Sequence, residues 1–212
     1  MEYRSFVSLS IAIIGNSRLG EALTTAFTAC GHIVYRAGTL SEKTGILTES
    51  DECEGVHYCS IEDAAASADF IMIATSAQDV REVAYWLGDV RRKVIIDLTV
   101  NVSESAKDAV NTVGAIKAIT GSEHIVKVLS LYKHEEKFTP LFGGQKVQGV
   151  LIGDSLKAKE IMKIISRELN VTEFYDFGGS ENMGLFDQLC TCCRSMISPT
   201  YKSKVLVTVG NK

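Results

Sequence analysis

The residues best suited to chemistry stand near the amino end of the chain. Gly15-Asn16-Ser17-Arg18-Leu19-Gly20 follows an apolar, β-branched run, Ser8 to Ile14. It opens a segment in which Leu19, Ala22, Leu23, Ala26 and Phe27 recur at helical spacing until Gly31. Strand, glycine turn and helix in that order form the setting in which the pyrophosphate of a dinucleotide is held. The first glycine makes the turn, a second lets backbone N–H groups reach the phosphates, and a third lets the helix pack on the strand. The positive end of the helix then faces the anion. Ser17 stands where the middle glycine would be, which adds a β-carbon at the closest approach and a hydroxyl able to donate to a phosphate oxygen. A purely structural strand-to-helix turn is the competing reading of the same six residues.

An acidic residue ~20 positions beyond such a turn would hold the ribose hydroxyls of NAD, and none is there. The segment Tyr35-Arg36-Ala37-Gly38-Thr39-Leu40-Ser41 offers a guanidinium and hydroxyls instead. These are donors suited to the 2′-phosphate of NADP, with Arg36 and Thr39 as the candidates. Arg36 read as a solvated cation at a strand end is the alternative, and Lys43 in the polar loop beyond is a weaker candidate. Two more polar stretches follow apolar runs: Thr75-Ser76-Ala77-Gln78 and Thr99-Val100-Asn101. Thr75, Ser76 and Asn101 are small enough to line a cofactor channel without filling it, although Ser76 and Asn101 would serve equally as helix caps.

Other reactive groups point elsewhere. Cys190-Thr191-Cys192-Cys193, and Cys53 with His57 and Cys59, lack the spacing of a zinc site. No metal is expected, and the thiols read as small buried or surface groups. The histidines are scattered, and His32 in a turn reads as structural. Gly153-Asp154-Ser155 reads as a turn into a helix cap. No Ser-His-Asp order, HExxH or carboxylate pair identifies a catalytic residue. Hydride transfer between two stacked cofactors depends more on positioning than on acid–base groups, so this absence does not count against a redox enzyme.

The elements that must hold these residues alternate. Buried strands are predicted at Ser8 to Ile14, Ile33 to Tyr35, Phe70 to Ala74, Val94 to Leu98, Ile125 to Leu131 and Gln148 to Ile152, with an edge strand from Val171 to Phe177. Helices are predicted after Gly15, over Ile61 to Ala68, around Val80, Val83, Ala84 and Leu87, and over Ser155 to Leu169 with Ile161, Ile164 and Ile165 inward. Alternation of this kind argues for an α/β fold: a doubly wound, mostly parallel Rossmann-type sheet with helices on both faces. Ligands in such a sheet lie over the carboxyl ends of the strands where the strand order reverses. Residues 9–178 would form the dinucleotide-binding domain, and 179–212 a C-terminal helix, from Ser180 to Met196, with a cysteine-rich tail.

Length and composition agree with one such domain. The chain has 212 residues, 46% hydrophobic and 23% charged, enough for a buried core. Its formal charge of −4 offers no broad basic field for a phosphate backbone, so nucleic acid is not an expected partner. No apolar run reaches the ~18–20 residues of a membrane helix. Phe6 to Ile14 behind Arg4 imitates a signal-peptide core, but a glycine turn follows it rather than a cleavage site, and six cysteines do not make a disulfide framework. A cytoplasmic protein with free thiols is the expectation.

With these residues in view, the chain resembles the reductase family that joins coenzyme F420 (deazaflavin)-dependent NADP oxidoreductases to the cytosolic domain of STEAP-type metalloreductases. The resemblance spans about Ile11 to Leu189. It rests on the Gly15 to Gly20 turn with Gly31-His32, on Asp69 to Thr75, on Val94-Ile95-Ile96-Asp97 leading to Asn101, and on His124-Ile125-Val126-Lys127. Gly153-Asp154 with Ala158-Lys159, and Asp176 with Gly178, complete it. It implies an oxidoreductase in which NADPH exchanges hydride with a flavin (FAD or FMN) or deazaflavin across the carboxyl edge of the sheet, in support of metal reduction in some members, often as a homodimer. It also implies that Ser130, where the family has Asn or His, borders the nicotinamide together with Thr75, Ser76 and Asn101. The family has glycine at Ser17 and a Ser-Arg pair at Gly38-Thr39, so a degenerate module that binds nucleotide or a protein partner without catalysis is the alternative. Relatives that share the front half carry a long helical second domain, for which this chain has no room.

Overall fold

The computed structural model describes residues 8–38, 54–99, 110–130, 141–142, 145–146, 149–169 and 171–189. The first part of the chain runs β1 (Ser10–Ile14), α1 (Arg18–Ala29), β2 (Ile33–Ala37), β3 (Val56–Tyr58), α2 (Ile61–Ser67), β4 (Phe70–Ile73), α3 (Val80–Trp86) and β5 (Val94–Asp97). Then come α4 (Thr112–Thr120), β6 (Ile125–Ser130), a two-stranded hairpin of β7 (Leu141–Phe142) and β8 (Gln145–Lys146), β9 (Gly149–Ile152), α5 (Leu156–Glu168) and β10 (Phe174–Asp176). Eight strands form one sheet in the order β10-β9-β6-β5-β4-β1-β2-β3. All pairings in it are parallel except β6 with β9.

Alternate residues of the apolar strands face opposite layers, as the period of two requires. Ile11, Ile13, Met72 and Ile96 pack with Phe27 of α1 and Ala158, Met162 and Ile165 of α5. Ala12, Ile14, Ile71, Ile73 and Ile95 pack against α2, α3 and α4, joined by Met183 and Phe186 beyond the 3-10 turn Ser180–Asn182. The predicted inward face Val80, Val83, Ala84 and Leu87 is buried.

Several expectations change. β9 runs antiparallel to β6, where every other pairing in the sheet is parallel, and the β7–β8 pair lies between the two in sequence. The edge strand shortens to Phe174–Asp176, and helical structure after Asn182 is described only over 183–189. Ile164, expected inward, is 55% exposed, whereas Ala158 and Met162 face the sheet. The inward row of α5 thus runs through 158, 162 and 165, spaced by four and three. Four elements were not expected: β3, α4, β7 and β8. β3 is only three residues long, and α4 has Gly114 and two threonines diluting its apolar period.

Cations close the ends of elements. The Lys93 ammonium donates to the carbonyls of Ala65, Ala66 and Ala68 at 2.5, 2.7 and 2.7 Å, serving the orphan carbonyls at the end of α2. Burial pushes its pKa down, and Asp69 opposes that shift. Lys93→Met is expected to lower stability by about 1–3 kcal/mol in urea unfolding. An unchanged midpoint would show that water serves these carbonyls as well.

Candidate functional site

Strand β1 lies between β2 and β4, so the strand order reverses around it, and its carboxyl end meets that of β4. Gly15 leaves β1 there with φ +118°, a conformation that suits glycine. A β-carbon on it would stand 2.4 Å from the carbonyl oxygen of Ala74. Its amide donates to the carbonyl of Ala37 at 2.8 Å, which ties the turn to β2 as well. Gly20, buried in the first turn of α1, faces Arg36: a β-carbon there would lie 2.7 Å from the guanidinium Nη1 and 3.0 Å from the carbonyl oxygen of Gly15. Close approach to the backbone of β4 thus requires glycine at Gly15, while Gly20 makes room for the end of the Arg36 side chain.

Ser17 has ordinary extended geometry, φ −69° and ψ 155°, so no glycine is needed at this position for conformation. Its hydroxyl donates to the carbonyl of Ala74 at 2.6 Å and accepts from the amide of Gly20 at 3.1 Å. Ser17 therefore caps α1 and pins the turn to β4. Arg18 and Leu19 are exposed where the helix opens, and the amide of Asn16 packs across Gly38 within 2.7 Å of where a β-carbon would stand.

Arg36 is only 2% exposed. Its guanidinium lies under Gly20, with Nη1 3.5 Å from the carbonyl oxygen of Ile13, so the reading of a solvated strand-end cation is overturned. Thr75 is buried and Ser76 half-buried at the end of β4. Ser76 does not cap a helix; its hydroxyl donates to Asp79 Oδ2 at 2.7 Å, and that of Thr75 to the same oxygen at 3.4 Å. Thr39 and Asn101 lie outside the described residues, as do Lys43, Cys53 and the 190–193 cysteines. Ser130 ends β6 at the same edge of the sheet as the carboxyl ends of β4 and β5. Gly15, Asn16, Ser17, Arg18, Leu19, Gly20, Arg36, Thr75 and Ser76 come together at the reversal.

Two groups escaped the sequence reading. One is Asp79, which gathers the two hydroxyls. The other is the ion pair of Lys127 and Asp97, 2% and 0% exposed, with Asp97 ending β5 and Lys127 beside it in the middle of β6. Its signal was a lysine inside the apolar run Ile125-Val126-Lys127-Val128-Leu129 and an aspartate ending another. His32 is structural: Nδ1 accepts from the amide of Leu9 at 3.3 Å, and Nε2 meets Glu168. Ser155 caps α5. Among the described residues no cluster of His, Cys, Asp or Glu could hold a metal ion, and no helix is long and apolar enough to cross a membrane.

A cavity between α1 and α5, lined by Leu23, Phe27, Met72 and Met162, measures about 60 Å³, well below the ~300–1,000 Å³ of small-molecule sites. An open groove of about 560 Å³ lies between α3 and α4, on the sheet face opposite α1.

Residues 10–101, under half of the chain, match the family described as NADP oxidoreductase, coenzyme F420-dependent. A proposed F420-dependent NADP-reductase from Arthrobacter sp. FB24 superposes with a TM-score of 0.72 at 17% identity, covering 96% of this chain and all of its own. The chain has the Rossmann fold. An imine reductase from Myxococcus stipitatus, solved with NADP+, gives a TM-score of 0.59 at 18% identity over 90% of this chain and 62% of its own. A pyrroline-5-carboxylate reductase from Coxiella burnetii gives 0.54 at 17% over 83% of this chain and 61% of its own. No curated protein matches significantly, and none of these similarities involves a metalloreductase.

Replacing Gly15 with Ala would force the turn off β4, and a loss of about 2–4 kcal/mol is expected in chemical denaturation. Ser17→Ala, which removes a cap and one tie, should cost about 1 kcal/mol. Equal losses would contradict the assignment of the closer contact to Gly15.

Proposed function

We propose that the chain is an NADP(H)-dependent oxidoreductase that exchanges hydride between NADPH and a flavin or deazaflavin. The observation that carries this reading is the Gly15 to Gly20 turn at the strand reversal, held in a narrow shape by Ala74, Ala37 and Arg36. The match of residues 10–101 to F420-dependent NADP oxidoreductases supports it.

The residues present fit a dinucleotide. The tight turn leaves backbone amides at the opening of α1, and those first N–H groups have no partner within a helix. Arg18 adds an exposed cation at the same mouth. The hydroxyl of Ser17 is already engaged as donor and acceptor, so the pyrophosphate would rest on backbone amides rather than on that side chain. Nicotinamide supplies the hydride when bound. Thr75 and Ser76, with Asn101 and Ser130, would border it, orient its ring and limit water.

Arg36 supports the phosphate turn from beneath, which leaves Thr39 as the candidate at the adenosine ribose. Arg36→Met is therefore expected to weaken NADPH and NADH alike, by about tenfold each. A loss confined to NADPH would mean that the guanidinium reaches the 2′-phosphate instead.

The parent test is a fluorescence titration of the full chain with NADPH and NADH, followed by turnover with FAD, FMN and deazaflavin. Saturable NADPH binding with turnover of one acceptor is expected. The absence of binding below millimolar would sink the proposal. Binding without turnover of any acceptor would favour a nucleotide-binding module that lacks catalysis.

A further inference from the structure

Lys127 and Asp97 sit opposite each other in register on β6 and β5, both facing α4. The ammonium Nζ lies 3.0 Å from Asp97 Oδ2, 3.0 Å from the carbonyl oxygen of Thr99, 3.1 Å from its hydroxyl and 2.8 Å from the hydroxyl of Thr112. Asp97 Oδ1 accepts from the amide and hydroxyl of Thr99 at 2.9 and 2.5 Å, and Oδ2 accepts from the hydroxyl of Thr112. Thr99 and Thr112 are themselves buried. Acceptors surround the ammonium, and none of these groups is left to solvent.

A pair of this kind is not needed for stability, because apolar residues of similar volume commonly serve as well or better. What an apolar pair would not reproduce is direction. Thr99 is where the chain leaves β5, and Thr112 is where it enters α4, so one ion pair holds both ends of the connection between them. That connection departs from the carboxyl edge two strands from β1, on the side away from β2. With the pyrophosphate at the β1 turn and the adenosine toward β2, this is the side that receives the other half of a dinucleotide.

We infer that Lys127 is a positioning residue for the nicotinamide half of the bound dinucleotide, acting through the backbone of Thr99. The inference rests on the dinucleotide-binding reading above. Asp97 and Thr112 act with it: the carboxylate aims the ammonium and the amide of Thr99, and the threonine ties the same point to α4.

The test compares NADPH with 2′-phospho-ADP-ribose, the same molecule without its nicotinamide, on the full chain. In the double variant Lys127→Met with Asp97→Leu, which strands no charge, the Kd for NADPH should rise about tenfold while that for the fragment stays within about twofold. Thr112→Val leaves the ion pair in place and should shift NADPH alone by about threefold; it decides the matter if the double variant does not fold, as judged by circular dichroism. Parallel weakening of both ligands would show a general structural role and overturn the inference, as would no weakening of either. A wild-type chain that binds neither ligand overturns the dinucleotide reading itself, which is a separate outcome.

Discussion

At Gly15 the backbone passes so near the carbonyl of Ala74 that a β-carbon would stand 2.4 Å from its oxygen. The rest of the site follows from this contact. It joins the exit of β1 to the exit of β4, the two strands at which the order of the sheet reverses. Ser17 binds the same carbonyl through its hydroxyl, Gly20 makes room for Arg36, and the amide of Gly15 reaches back to Ala37. A turn restrained from three sides is already shaped before a ligand arrives, so little ordering remains to oppose binding.

The apolar strands and the glycine turn were legible because each has a local cause. Continuous β-branched runs such as Ile11 to Ile14 and Val94 to Ile96 announce burial on both faces, and Gly15 follows the first of them directly. What was not legible depends on distance in sequence. The burial of Arg36 follows from Gly20, sixteen positions earlier, leaving room above it; nothing near Arg36 says so. The second role of Ser17 depends on Ala74, and the antiparallel course of β9 shows only in its pairing with β6. Helix α4 was hidden by weak propensity and is held by its surroundings: Asn111 caps it, Gly121 ends it at φ +68°, and Val113 and Ile116 fill the core.

Three lysines follow a common pattern. Lys93 closes α2 on three carbonyls, Lys127 takes the carbonyl of Thr99, and Lys159 takes that of Gly178 at 2.9 Å together with Asp176 at 2.6 Å. Each stands where the chain leaves a regular element and its backbone oxygens lose their partners. An ammonium carries three donors, so one lysine can serve such a carbonyl together with a carboxylate, or, at Lys93, three carbonyls at once.

The Lys127 and Asp97 pair also constrains the order in which the chain can fold. β5 and β6 cannot close against one another without bringing the two charges together, and until α4 arrives with Thr112 the pair lacks one of its partners. A partly assembled sheet would keep those charges open to water, because desolvating an incompletely bonded ion pair costs several kcal/mol. Closing two strands and a helix as one cooperative unit avoids that cost. Local opening there should likewise expose all three together rather than fray one at a time.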